Sequence, residues 1–207
     1  MNLFGCNNQT TKNNTRQKNK KIETHVTKLL KDFDERVIHN KLTRKIIDST
    51  PTSNLEQVII DNIYLKIIPD SSNDEKQFET IISLSKGRQA IFATIGLENE
   101  VNNGGYNQYF YNFSSSGQYG ELAREGFSLI GAKDFSKITQ SAIDTLLKNA
   151  KHLSKFKDGT LESFSKSYEN NPLNKFDDIF FELEKNINLS ELRIKYILDH
   201  KSEFIDK

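Results

Sequence analysis

Apolar residues recur at steps of three and four along most of this chain. Ile22, Val26, Leu29, Leu30, Phe33 and Val37 begin the pattern, and such spacing predicts a helix because 3.6 residues per turn gather those positions on one face. A short segment from Leu42 to Ile47 stops at Ser49-Thr50-Pro51, since the residue before a proline is pushed out of helical conformation. Ser53 or Asn54 is the expected N-cap of the next element, with Glu56 at the capping-box spacing from Ser53. Its body, Leu55, Val58, Ile59 and Ile63, reads helical, while Tyr64 to Ile68 also fits a short extended piece. Pro69 to Asp74 reads as a loop.

The strongest pattern follows. Phe78, Ile81, Ile82, Ser85, Phe92, Ile95 and Gly96 share one face and predict a helix to about Asn99. Further helices are expected from Tyr106 to Phe113, from Tyr119 to Ile130 with Gly131 as the terminating glycine, and from Asp134 or Ser136 through Leu153. That last helix carries Ile138, Ala142, Ile143, Leu146, Leu147 and Ala150. The pattern weakens over Lys155 to Asn174, with a turn or two near Leu161–Tyr168. It resumes with Phe176, Ile179, Phe180, Leu183 and Ile187, then with Leu192, Tyr196, Ile197 and Phe204. No internal repeat and no alternation of strands with helices is visible. The fold expected is all-α: a single multi-helix domain over residues 75–207, a helical extension over 21–74 and a disordered polar tail over 1–20.

Composition agrees with that division. Hydrophobic residues make up 35% of the 207 and charged residues 28%, and residues 1–20, rich in Asn, Lys, Thr and Gln, hold much of the polar excess. Three prolines and ten glycines are too few for a many-turned β-sandwich, while 14 Phe and 7 Tyr suffice to anchor a core. The formal net charge is +1, so the whole molecule offers neither a basic field for DNA nor a strongly acidic one. The basic run Lys18 to Lys21 fits a solvated tail. No apolar run approaches the roughly 18 residues of a membrane span.

The single cysteine, Cys6, excludes an intramolecular disulfide and a cysteine-cluster metal site. Leu3-Phe4-Gly5-Cys6 has the form of a lipobox, but only five residues precede Cys6, fewer than a secretion leader needs. Cytoplasmic residence is therefore expected. Lipid anchoring at the cell envelope through Cys6, the only route to a membrane, is the alternative.

The most unusual stretch is Glu98 to Asn112. Asn102-Asn103-Gly104-Gly105 can reverse one helix into another within few residues, because Asn and Gly enter positive φ at low cost. Tyr106, Tyr109, Phe110 and Phe113 then recur at helical spacing. Such a stripe either plugs a core or, with Asn102, Asn103, Gly104, Gly105, Tyr106, Gln108, Tyr111 and Asn112, forms a surface platform for a partner. Core is the commoner use of such residues, with Gln108 and Tyr111 lying off the apolar face.

The run from Glu100 through Asn-Gly-Gly-Tyr to Asn112, then Ser116-Gly117, Ala123 and Ile130-Gly131-Ala132, resembles the bacterial domain of unknown function 4375 family. The segments from Phe176 to Ile197 and at Phe204-Ile205 resemble that family's C-terminal helices. The resemblance spans about residues 78–205. It implies an all-helical domain without known enzymatic activity, in a family that includes a DNA mimic engaging a transcriptional regulator through acidic groups. Here the charge departs from a mimic's: residues 74–207 hold 17 basic and 20 acidic side chains. A local acidic patch of Asp177, Asp178, Glu182 and Glu184 is the candidate surface, although such clusters are usually solvated helix faces.

Catalytic chemistry has little support. His25, His39, His152 and His200 are scattered and lack metal-ligand spacing, and Cys6 has no activating histidine nearby. Gly104-Gly105 matches neither a dinucleotide fingerprint nor a P-loop. Glu98 and Glu100 could divide acid and base roles only if a pocket raised one of them. The expectation is a non-enzymatic, cofactor-free and metal-free regulatory module. It would bind another protein, either a DNA-binding regulator or a toxin, with no direct nucleic-acid contact, and could form a homodimer.

Overall fold

The amphipathic segments of the sequence become nine α-helices and no strands among the described residues of the computed structural model, which are 36–70, 72–113, 117–156 and 158–207. They are α1 (Arg44–Ser49), α2 (Thr52–Ile67), α3 (Asp74–Ser83), α4 (Lys86–Asn112), α5 (Gln118–Leu129), α6 (Lys133–Leu153), α7 (Leu161–Lys166), α8 (Lys175–Glu184) and α9 (Leu189–Asp199). Short 3-10 turns follow α2, α6 and α9. The fold is all-α. The expected tail over 1–20, Cys6, the run Lys18 to Lys21 and the helix beginning at Ile22 lie outside the described residues, except that Arg36–Ile38, at that helix's far end, are not helical.

Residues 39–207 form one compact unit. Its centre is α4, which packs along α5, with α6 also against α5 and α2, α8 and α9 completing the shell. Leu55, Ile59 and Ile63 of α2 are buried at the predicted spacing, and Ile67 is buried one turn further on. Phe127, Phe135, Phe180 and Tyr106 meet edge to face or tilted, 4.9–6.1 Å apart between successive ring centroids. Each such side chain contributes about 1.5–3 kcal/mol by leaving water. Between α5 and α6 the chain turns at Gly131, φ +87. There the Ala132 N–H reaches the Phe127 carbonyl at 2.8 Å and the Gly131 N–H reaches that of Ser128 at 3.2 Å, the paired closure that a left-handed glycine permits.

Four expectations need correction. The long helix predicted over Phe78–Asn99 is broken: Leu84 is extended and Ser85 caps α4, its hydroxyl accepting the Arg88 N–H at 3.3 Å and donating to the Glu203 carbonyl at 2.6 Å. Ser85 is therefore a cap, and Ile82 is left 48% exposed. Neither Ser53 nor Asn54 caps α2, which starts behind Pro51; the capping-box partner Glu56 is drawn away to Arg193 and Ser190. Tyr64 to Ile67 are helical, not extended. Finally, Leu147 and Ile179, expected inward, are 56% and 44% exposed.

Candidate functional site

The Asn-Gly-Gly sequence makes a kink inside one element. Gly104 (φ −165, ψ 27) and Gly105 (φ 74, ψ −179) leave helical geometry, yet the chain resumes its helix at once. The break expected at the glycines, with a second helical stretch opening at Tyr106, is therefore present within α4. Gly105 occupies a region open essentially to glycine alone. A Cβ there would also stand 2.2 Å from Asp177 Oδ2.

Asp177, expected as part of a surface acidic patch, turns instead onto the kink. Its Oδ1 accepts the Tyr106 backbone N–H at 2.8 Å, supplying the acceptor that a restarting helix lacks. Burial pushes its carboxyl above the ordinary value, the Tyr106 N–H opposes that, and Asp178 adds to it. The Tyr168 hydroxyl donates to the Gly104 carbonyl at 3.0 Å, so both peptide groups of the kink are held from other elements. The only sequence signal was an acidic residue in the first turn of a late helix, which named no partner.

Glu100 is the second hub, accepting from Gln108 Nε2 and Asn112 Nδ2, each at 2.8 Å. Asn102 Nδ2 reaches Glu184 at 3.1 Å. The two candidate surfaces recognised separately, the amide platform and the acidic patch, therefore meet at the kink. They are not equally available. Tyr106 is fully buried, with its hydroxyl 3.0 Å from Thr139 Oγ1, and burial raises its pKa well above the ordinary phenol value. Gly105 and Gln108 are buried too. Tyr106, Gly105 and Gln108 are thus corrected from platform to core, because the kink turns Tyr106 and Gly105 onto α6 and α8 and Gln108 back onto Glu100. Asn102, Asn103, Asn112, Asp178 and Glu182 are exposed, and Gly104, Tyr111, Asp177 and Glu184 are half-buried. Tyr111 packs edge-on against Phe164 at 4.7 Å. Glu182 pairs with Lys185.

Beside the kink, Glu98 accepts from Arg193 Nη2 at 2.6 Å, and Arg193 Nε reaches Glu56 at 3.0 Å. The guanidinium is buried, and its Nη1 has no hydrogen-bond partner among the described residues. Burial raises the Glu98 pKa, Arg193 lowers it, and Glu184 and Glu56 raise it further. One buried cation thus joins α2, α4 and α9. His200 stacks on Tyr196 at 4.1 Å and His152 meets Phe156 edge-on, while His25 lies outside the described residues.

A family model described as DMP19-like protein matches residues 82–200. The chain belongs to the DMP19-like protein family. The DMP19-like segment contains the kink, its Asp177 acceptor, Glu100 and Arg193, while α1, most of α3, and Glu56 and Asp206 lie outside it. No curated protein and no solved structure matches the chain. Among the described residues no helix is long and apolar enough to cross a membrane.

A groove about 880 Å³ in volume opens next to the kinked helix's end. Its walls carry Asp74, Glu75, Phe78 and Glu79 from α3, Tyr111, Asn112 and Phe113 from the end of α4, and Gln118 and Tyr119 from α5. Phe78 meets Tyr119 edge-on at 4.9 Å, and Phe113 meets Tyr119 at 5.5 Å.

Proposed function

We propose that this protein is a non-enzymatic, cytoplasmic regulatory module that works by binding another protein. The observation carrying the reading is the convergence of Glu100, Asp177 and Glu184 on one kink, edged by the exposed amides Asn102, Asn103 and Asn112. Amides and carboxylates in that arrangement complement a basic, hydrogen-bonding protein surface and repel phosphate. Membership of the DMP19-like family supports a DNA-mimic role of this kind, directed at a DNA-binding regulator. The Asn-Gly-Gly-aromatic motif supports, more finely, a kinship with the domain of unknown function 4375 proteins.

Against an acid–base enzyme reading of Glu98 and Glu100, both carboxylates are engaged, one by Arg193 and the other by two amides. A toxin is the second admissible partner, and self-association as a homodimer is compatible with either. Affinity capture from the native host with mass spectrometry is the test. A single protein retained by the wild type and lost with Asn102→Ala/Asn112→Ala is the expected result. Failure to retain any protein specifically would defeat the reading.

A further inference from the structure

The groove between α3, the end of α4 and the start of α5 has a composition that selects its occupant. Asp74, Glu75, Phe78 and Glu79 fall on one face of α3, and among the described residues no Lys, Arg or His lines the cavity with them. Among the described residues Asp74, Glu75 and Glu79 form no salt bridge, unlike Glu121, Asp134, Glu162, Glu182 and Asp199 elsewhere on the surface. The floor is aromatic: Phe78, Phe113 and Tyr119 hold one another edge to face. Gln77, Asn112 and Gln118 add amide groups at the sides.

We infer that this groove is the receptor for an arginine-bearing segment of the partner protein. The inference rests on the protein-binding reading above. A guanidinium suits each component of the wall: its planar face lies against aromatic rings, its charge answers carboxylates that have no counter-ion among the described residues, and its several N–H donors fit side-chain amides. Three carboxylates at a rim repel nucleic acid and anionic lipid. The volume falls in the roughly 300–1,000 Å³ range of sites that enclose most of their ligand, and the groove is open enough to admit a chain segment.

Two relationships give the groove standing beyond its charge. Asn112 lines it and also donates to Glu100, so the groove is continuous with the acidic surface at the kink. In addition, Asp74, Glu75 and Glu79 lie outside the segment matched by the DMP19-like family model. The charged wall of the receptor therefore comes from outside the family segment, while Tyr111, Asn112, Phe113, Gln118 and Tyr119 come from within it, and that wall would set which basic partner is chosen.

The test uses the full chain labelled for NMR and a capped Gly-Arg-Gly-Arg-Gly peptide, with a citrulline peptide of the same shape as the uncharged control. Saturable shifts confined to the amides of α3, Tyr111–Phe113 and Gln118–Tyr119 are expected with the arginine peptide, weakening as salt is raised. Citrulline should bind at least tenfold more weakly. The variant Asp74→Asn/Glu75→Gln/Glu79→Gln, with its melting temperature checked, should lose at least tenfold in affinity, while Asp134→Asn/Asp144→Asn/Glu162→Gln should lose none. Shifts scattered over the surface, equal binding of citrulline, or an unaffected groove variant would each overturn the assignment. A captured partner that binds the groove variant at full strength would sink the groove but leave the protein-binding reading intact. Arginine binding in the groove without any specific captured protein would do the reverse.

Discussion

The Asp177 carboxylate and the Tyr106 backbone N–H, 71 residues apart in sequence, meet at 2.8 Å. Because Gly105 has no Cβ, the carboxylate can approach the bend, and because the carboxylate is there, the helix can restart. Asp177→Ala should cost about 1–3 kcal/mol by leaving a half-buried N–H unpaired. Gly105→Ala should cost at least that, since strain at this φ/ψ is about 1–3 kcal/mol before the clash with Asp177 is counted. The double variant should be less damaging than the sum, by roughly 0.5 kcal/mol or more, because removing the carboxylate removes the clash. Urea denaturation of the four proteins measures this, and strict additivity would show that the two sites do not share a contact.

Tyr106 offers a second check on which part of the motif is core. Its hydroxyl and that of Thr139 are buried and face one another at 3.0 Å. Thr139→Val should cost about 1–3 kcal/mol by orphaning the phenol, and Tyr106→Phe about 1 kcal/mol. Combining them should restore most of the loss, since no buried polar atom is then left alone. Partner capture should be unchanged in Tyr106→Phe, whereas a surface role for this residue would make capture fall.

Much of the fold was legible because burial on one helix face imposes a period that survives in the sequence. Leu55, Ile59 and Ile63 were found that way, and so was the Gly131 terminus. What escaped were side chains whose role is set by a distant partner. Ser85 looked like an inward position because the period runs through it, yet its hydroxyl caps α4 and reaches Glu203. Asp177 looked like surface charge because nothing in a linear reading places it beside residue 105. The aromatic stripe after the glycines was readable as core, but which of its polar neighbours remained outside depended on the direction of the kink. Asp74, Glu75 and Glu79 drew no notice, since their significance comes from the rings facing them across the groove.

Arg193 is the cation most dependent on its partners. It is buried between Glu56 and Glu98, and Arg193→Met leaves two carboxylates facing each other without it. A loss of about 3–5 kcal/mol is expected, with Glu98→Gln/Arg193→Met less severe than Arg193→Met alone. The pH dependence follows from the raised Glu98 pKa, caused first by burial and only partly offset by Arg193. A carboxyl whose folded pKa exceeds its unfolded value favours the folded state most when protonated. Its contribution is therefore greatest below the ordinary value of 4.5 and declines as pH rises from there through the raised value. Glu98→Gln should flatten that part of the stability curve, and an unchanged curve would show that Glu98 does not titrate differently on folding.

Asp206 should act with the opposite sign. Its backbone and side chain clamp Leu42, with Leu42 N–H to Oδ2 at 2.7 Å and Asp206 N–H to the Leu42 carbonyl at 2.8 Å. Arg88 and Lys66 reach Oδ1 at 2.8 and 3.0 Å. Burial by itself would raise this carboxyl, but the Leu42 N–H and the two cations outweigh it and hold the pKa at about 2. A depressed folded pKa means stabilisation that is complete above the unfolded value of 3.8 and is lost as pH falls toward about 2. The shift corresponds to about 2 kcal/mol at neutral pH. Asp206→Asn should be less stable than the wild type by about that amount at pH 7, and the two curves should converge at the acid end. If the gap persisted undiminished below pH 2, the loss would come from packing of the C-terminal segment and not from the carboxylate's charge.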